Sequence, residues 1–592
     1  MISQSQDTDG NRLGGLPLVR WHGVAISITC HTIRVESTDS QYYSHIFKVD
    51  NMRRYICYLV FFSFLLLSHT QGLGAPKPNI LLVVADDMGW TDLGSFGSEI
   101  DTPNLDSLAH QGVKFTSFYT SISCSPTRSM LLSGTDNHIA GLGNMGELLT
   151  EEQKGKPGYE GHLNDRVVSL AEVLRDNGYH TYMAGKWHLG HEPDQYPHAR
   201  GFDKSLSMLN GGSSYWSDMT GLMEVEAKVT YVENDKKLTE LPKDFYSSRN
   251  FTDFLIDSIR DDRGDGKPFL AYLAFNAPHD PVHVPEPWLS KYRGQYDEGY
   301  EILKDKRAKN AKQRGIFPKD APSSPIYEQV KAWDSLTDEQ RGLEARGMES
   351  YAGLVSNMDY HFGRLVSFLK DIGEYENTII IFLSDNGSNP WYSVDYPGNA
   401  ESEWFKQFDN SLENIGHPGS NWAYGLGFGS ASSGPLDLFK LAFGEGGIRT
   451  PMLIWGPGVK GQRQVDAFAY VWDIMPTILD VSGIEHPDTL NGKAVEPMRG
   501  KSLVPVLSGT AEAIYDDQEY VCGELGGAGG WARQGFFKAV WNAPPYGDKE
   551  WRLFNLEADP GETRNLADEK PEKLEELKNA WDTYSREVGV VN

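Results

Sequence analysis

A chain of 592 residues with 39% hydrophobic, 23% charged and 12% aromatic residues can bury one large core and a smaller one, which excludes a disordered or fibrous protein. Its 55 Lys and Arg against 82 Asp and Glu give a net charge of −27. That sign argues against nucleic acid or an anionic membrane surface as a partner, and any anionic substrate needs a pocket that is positive against the global field.

Four cysteines, Cys30, Cys57, Cys124 and Cys522, make no disulfide framework. Residues 52–67 read MRRYICYLVFFSFLLL and are followed by SHTQGLGA. Two arginines, a short apolar run and small residues predict a signal peptide over 52–75, with translation starting at Met52 and residues 1–51 an upstream extension absent from the mature protein. The run Tyr55–Leu67 is too short to span a bilayer comfortably. The alternative is a membrane anchor through residues 55–67. Either reading places the rest of the chain in the secretory pathway, secreted or in an exocytic compartment, with no stable membrane partner on the first.

From Pro76 onward apolar runs alternate with helical periodicity, which predicts an α/β fold with a large, mostly parallel sheet flanked by helices over residues 76–509. Four runs share one grammar: Asn79–Ala85 ends in Asp86-Asp87, His180–Gly185 in Lys186-Trp187-His188, Phe269–Phe275 in Asn276-Ala277-Pro278-His279, and Thr378–Leu383 in Ser384-Asp385-Asn386-Gly387. Each reads as a buried parallel strand, and in open α/β sheets ligands bind beyond the carboxyl ends of the strands. Val167–Asn177 predicts a helix that stops at Gly178. Residues 286–345 read as a peripheral insertion with helical pieces, and residues 390–435 as long loops that carry substrate contacts. Beyond Gly509 the sequence predicts a small C-terminal α+β domain, 510–592, with antiparallel strands and a closing helix over Lys570–Val588.

Asp86-Asp87 alone could be a solvated turn. With Asp385-Asn386 at another strand end they make a hard-oxygen cage suited to calcium or magnesium, and no Cys or His pair has zinc spacing. In Cys124-Ser125-Pro126-Thr127-Arg128, Pro126 fits the first turn of a helix. Cys124 then sits at a helix N-terminus, which favours anions, and Arg128 shares its helix face. The plainer readings are a buried structural cysteine or a simple thiol nucleophile.

Cys-Ser-Pro-Thr-Arg resembles the C-x-P-[ST]-R signature of the type I, formylglycine-dependent sulfatases. The resemblance runs from about Pro78 to the C-terminus through PNILLVVADDMGW, TPNLDSLAHQGVKF, AGKWHLG, PHARGF, APH, SDNG, EGGIRTP and LFNLEADPGETRNLA. GTDNHIAGLGNMGE and KPGYEGHLN make it most similar to bacterial-type arylsulfatases. It implies an alkaline phosphatase-like fold and hydrolysis of sulfate monoesters, aryl sulfates by default, through a formylglycine-sulfate intermediate. It implies one Ca2+ held by Asp86, Asp87, Asp385, Asn386 and the residue made from Cys124, which a formylglycine-generating enzyme converts during maturation. Arg128 would orient that residue, Lys186 and Lys440 would clamp sulfate oxygens, Asp385 would act as base, His188 would take the proton that frees sulfate, and His279 would serve the leaving group. The other readings are a phosphoryl or phosphonate ester hydrolase of the same superfamily with an unconverted nucleophile, and an inactive secreted binding protein. Asn250 and Asn386 both begin acceptor sequons, of which only Asn250 is expected to carry a glycan.

Overall fold

The computed structural model describes residues 77–591, and of the chain before them only the backbone of three short strands, Arg20–Trp21, Val24–Thr29 and Thr32–Ser37. The predicted signal peptide and anchor, Cys30 and Cys57 lie outside the described residues. Among the described residues no helix is long and apolar enough to cross a membrane.

Eleven strands form the main sheet: Asn79–Ala85 (β1), Val113–Tyr119 (β2), His180–Lys186 (β3), Lys204–Met208 (β4), Tyr231–Glu233 (β5), Lys236–Lys237 (β6), Phe269–Ala274 (β7), Thr378–Ser384 (β8), Arg449–Trp455 (β9), Arg463–Val465 (β10) and Ala469–Tyr470 (β11). Their order is β10-β2-β9-β8-β1-β7-β3-β4-β5-β6, with β11 also on β2. The central strands β8, β1, β7, β3 and β4 are parallel, whereas β9 runs antiparallel to both β8 and β2. The fold is thus the predicted mixed, mostly parallel sheet. The four strands with reactive endings are consecutive neighbours, which puts those endings side by side on one edge.

Helices cover both faces: Pro103–Gln111 (α1), Cys124–Ser133 (α2), Leu170–Asp176 (α3), Ser247–Asp262 (α4), Tyr300–Gln313 (α5), Asp338–Asp371 (α6) and Ile474–Ser482 (α7). Side chains alternate across a strand, so two covered faces require two apolar sets. In β1, Leu81, Val83 and Ala85 join the core beneath α1, α4, α5 and α6, while Ile80, Leu82 and Val84 join the one beneath α2, α3 and α7. This explains the unbroken apolar run NILLVVA. The helix predicted over Val167–Asn177 begins at Leu170, because Ser169 caps it with Glu172 in a capping box, and Gly178 follows it at φ +88°. Gly185 in β3 has φ +119°, and a Cβ there would stand 1.7 Å from the Ala274 carbonyl oxygen. Only glycine lets β3 pack on β7 just before Lys186.

The insertion over 286–345 is not peripheral. Leu289, Tyr292, Tyr296, Tyr300, Leu303 and Trp333 are buried in the main core, and Arg307 is fully buried against Asp92 and Glu99. Residues 390–435 are mostly loop, as expected, apart from a helix over Gly425–Ser433. At the C-terminus, Tyr520–Glu524 (β12), Gly529–Gln534 (β13), Phe537–Asn542 (β14) and Arg552–Asn555 (β15) form an antiparallel sheet. The helix Pro571–Val588 (α8) packs Leu577, Trp581 and Tyr584 on its Ala532, Ala539 and Leu553.

Candidate active site

The edge formed by β8, β1, β7 and β3 gathers every residue singled out from the sequence, except that His188 stands slightly apart with its own partner. Asp86 and Asp87 leave β1, and the Asp87 backbone sits at φ +68° with its N–H donating to Asp385 Oδ1 at 3.2 Å. A left-handed backbone at a non-glycine residue is uncommon and tends to mark functional positions. Cys124 is the first residue of α2, its sulfur 3.4 Å from Asp86 Oδ1 and 3.7 Å from Asp87 Oδ1. One turn on, Arg128 donates from Nε and Nη2 to Asp385 Oδ2 at 2.9 and 2.8 Å and from Nη1 to the Lys186 carbonyl at 2.9 Å. Gly387 is packed so closely that a Cβ would stand 1.9 Å from the Gly446 carbonyl oxygen, which welds the SDNG turn to the EGGIRTP turn.

Two lysines pair with the adjacent aspartates. Lys186 donates to both oxygens of Asp86 at 2.8 Å, and Lys440 donates to Asp87 Oδ2 at 2.8 Å. His279 Nε2 lies 3.3 Å from both Asp87 Oδ2 and Lys440 Nζ. Its Nδ1 stands 2.8 Å from the Asp280 carbonyl oxygen, which only accepts, so the ring hydrogen sits on Nδ1. All these groups are buried. Three carboxylates therefore face three permanent cations, Arg128, Lys186 and Lys440. Burial pushes the Cys124 thiol well above the ordinary range, against the pull of Lys186 and Lys440. Burial likewise raises the Asp385 carboxyl, helped by Asp86 and opposed by Arg128. It lowers the His279 imidazole against the pull of Asp87 and Asp280. Both oxygens of Asp385 accept hydrogen bonds, from Arg128 and from the Asp87 N–H, and none joins it to Cys124.

The donor set fits a hard divalent cation. Asp86, Asp87, Cys124 and His279 present ligand atoms within 4.8 Å of one another. Asn386 donates through Nδ2 to Asp87 Oδ1 at 2.7 Å, while its Oδ1 is buried and accepts no hydrogen bond from the described residues. A buried carbonyl oxygen without a donor is costly, and a cation is the partner it lacks. His279 joins this cluster more closely than its sequence-derived role suggested. Asn386 is fully buried, which leaves no room for a glycan there, whereas Asn250 is half-buried on α4.

Some site residues carried no assignment in sequence. Glu147 accepts from His188 Nε2 at 2.9 Å. Asp280 lies 3.1 Å from His279 Nδ1 and is held by Asn389 at 2.8 Å and Tyr396 at 3.0 Å. Their signals were present, in GNMGE and in the acid that follows APH, but no spacing rule marks them. A small cavity of about 60 Å³ opens above Cys124, His188, His279 and Lys440, walled by Met145, Leu222, Trp391 and Tyr396.

The sulfatase family model matches residues 78–484, well over half of the chain. The chain belongs to the sulfatase family. It is 43% identical over 527 residues to an uncharacterized sulfatase of Schizosaccharomyces pombe, covering 87% of this chain and 94% of that one. It is 41% identical over 429 residues to an arylsulfatase of Klebsiella aerogenes, covering 72% and 91%. Among solved structures, Ps i-CgsB superposes with a TM-score of 0.62 at 23% identity over 86% of this chain and 93% of that one. The PsFucS1 sulfatase of Pseudoalteromonas gives 0.56 at 20% over 88% and 91%. The sulfatase described here is accordingly a sulfuric ester hydrolase, and its substrates are sulfate esters.

Proposed function

We propose that this sulfatase hydrolyses aryl sulfates, with Cys124 converted to Cα-formylglycine and one Ca2+ held by Asp86, Asp87, Asp385, Asn386 and residue 124. The observation that carries the reading is the place of Cys124: a buried sulfur at a helix N-terminus, 3.4 Å from one aspartate and 3.7 Å from the next. An oxygen at the same place would face the cation site. The 41% identity to an arylsulfatase and the apolar, aromatic walls Met145, Leu222, Trp391 and Tyr396 support an aryl leaving group.

When present, the cation and the hydrated aldehyde would supply charge neutralisation and two hydroxyls on one carbon. The remaining work falls to this chain's own side chains. Arg128 fixes the orientation of residue 124 through α2 and ties it to Asp385 and Lys186. Lys186 and Lys440, held charged by the surrounding carboxylates, take the sulfuryl oxygens, and such preorganised charge is usually the largest catalytic contribution. Asp385 receives the proton of the attacking hydroxyl, its basicity raised by burial. His279, with Nδ1–H bound to the Asp280 carbonyl, keeps Nε2 toward the site for proton exchange with the leaving oxygen. His188 takes the last proton. These cations also offset the −27 net charge locally: Lys440 lines the pocket, and Lys186 and Arg128 are buried against Asp86 and Asp385.

Steady-state rates on nitrophenyl sulfate, an alkyl sulfate and a sulfated monosaccharide test the substrate class. The reading expects kcat/KM for the aryl ester to exceed the others by at least about tenfold. A saccharide sulfate turned over faster than the aryl ester would overturn it.

A further inference from the structure

His188 is paired with a carboxylate that lies outside the metal cluster. It has a left-handed backbone, φ +57°, and its ring is confined: a Cβ on Gly211 would stand 2.9 Å from its Cε1. Nε2 lies 2.9 Å from Glu147 Oε1. The imidazole pulls the Glu147 carboxyl down to about 2 against the opposing effect of burial, so the group is an acceptor only at working pH. The ring hydrogen therefore sits on Nε2. The other nitrogen, Nδ1, is buried and has no hydrogen-bond partner among the described residues. His188 and Cys124 line the same cavity.

Glu147 is an exposed residue, yet its place is fixed. It stands in the short turn Gly146–Leu148, whose ends are fixed by Asn144. Asn144 Nδ2 donates to the Leu148 carbonyl at 2.9 Å and to Gln153 Oε1 at 3.0 Å, and its Oδ1 accepts from the Met145 N–H at 2.8 Å. The same turn places Met145 in the cavity wall. A carboxylate that fixes the tautomer of a neighbouring histidine and stabilises its protonated form is the arrangement by which hydrolases prepare a histidine to take a proton.

We propose that Glu147 is the positioning residue for His188, holding its hydrogen on Nε2 so that Nδ1 is the nitrogen that takes the proton in the sulfate-release step. The inference rests on the formylglycine reading above. In that step the free hydroxyl on the carbon of residue 124 loses its proton to Nδ1, the C–O bond to that oxygen becomes C=O, the C–O bond to the esterified oxygen breaks, and sulfate leaves as the dianion. The charge gained by the ring is met by Glu147 through a charge-assisted hydrogen bond.

The step assignment gives the test a signature that loss of structure does not share. Slowing only release lowers kcat and KM together and leaves kcat/KM, which reports sulfuryl transfer, nearly unchanged. With nitrophenyl sulfate, Glu147→Gln and His188→Ala are each expected to lose about 10²-fold in kcat, on the scale of general acid–base help, with kcat/KM within about threefold. Both should accumulate enzyme carrying covalent sulfate, seen in the intact-protein mass, and the double variant should be no slower than the worse single one. A Glu147→Gln enzyme with wild-type kcat overturns the proposal. So does one with converted residue 124 and unchanged thermal stability in which kcat and kcat/KM fall equally without covalent sulfate. The peptide mass of residue 124 separates the two levels: active wild-type enzyme with unconverted cysteine removes the underlying reading, and the proposal with it.

Discussion

At the scale of single residues, the site is a set of short contacts that assign distinct tasks to chemically similar groups. Asp86 and Asp87 are adjacent, yet Asp86 pairs with Lys186, and Asp87 with Lys440 and Asn386. Asp385 is held by Arg128 and by a backbone N–H, and burial raises its carboxyl. Asp385→Ala removes the proposed cation ligand and proposed base at once and leaves Arg128 buried without its acceptor. We expect at least about 10³-fold loss in kcat, together with reduced bound calcium measured by metal analysis. An Asp385→Ala enzyme with near-normal kcat would remove Asp385 from the mechanism. The residues that sequence made legible are those in short ordered motifs: Cys124 and Arg128 by their spacing in a helix, and Asp86, Asp87, Asp385 and Asn386 by their place after apolar runs. Glu147 and Asp280 were not legible, because no spacing rule marks them and the pairing of Glu147 with His188 exists only once distant segments meet.

At the scale of elements, the strands were easier to read than the helices around them. A parallel strand buried on both faces shows as a largely apolar run, and β1, β7 and β8 do, whereas β3, HTYMAGK, opens on His180 and Thr181. The Lys- and Glu-rich stretch that contains α5 gave the opposite impression. Its charges hide a buried stripe of Tyr300, Leu303 and Ala311, and one of its arginines is itself interior. Arg307 donates to Asp92, Glu99 and Ser98, and Asp92 also accepts from Tyr351 at 2.6 Å, so α5 is bolted to α6 and to the loop after β1. Truncating one member of a buried charge network leaves the others uncompensated. Arg307→Ala is expected to cost about 3–5 kcal/mol in folding stability, read as a lowered denaturation midpoint. A midpoint equal to that of the wild type would mean that α5 is the peripheral piece its composition suggested.

At the scale of the whole molecule, the small C-terminal sheet is joined to the main body by two buried ionic clusters. Lys538 on β14 lies 2.9 Å from Glu445 and 3.0 Å from Glu562, so the EGGIRTP turn that precedes β9 is anchored by the terminal sheet. The second cluster is Asp136, His138 and Glu524: His138 Nδ1 is 3.1 Å from Asp136, and its Nε2 is 2.9 Å from Glu524 on β12. Burial opposes the charge on His138, but the two carboxylates prevail and raise it to about 9. An unfolded histidine titrates near about 6.5, so the folded value is the higher one. The stabilisation is therefore complete below about pH 6.5 and is lost as pH rises toward about 9, with a total on the order of 3 kcal/mol. Thermal midpoints should fall across that window, and His138→Gln should flatten the slope. A wild-type midpoint that rises between those pH values would contradict the cluster's charge. None of these joints was visible in sequence, since Glu524 lies hundreds of residues from Asp136 and His138 and no periodic pattern links them.

The central claim is that the nucleophile is made, not encoded, at position 124. Substitution by serine supplies one hydroxyl where the hydrated aldehyde supplies two, so Cys124→Ser is expected to attack sulfur slowly, stop after about one turnover and retain covalent sulfate, because its sulfate ester lacks the second hydroxyl needed for collapse to an aldehyde. The most direct measurement, however, is on the active wild-type enzyme: the mass of the peptide that contains residue 124. The account predicts a peptide lighter than the cysteine form by the difference between SH₂ and O, in an amount that rises in proportion to specific activity across preparations. A fully active preparation whose peptide carries unmodified cysteine would contradict it.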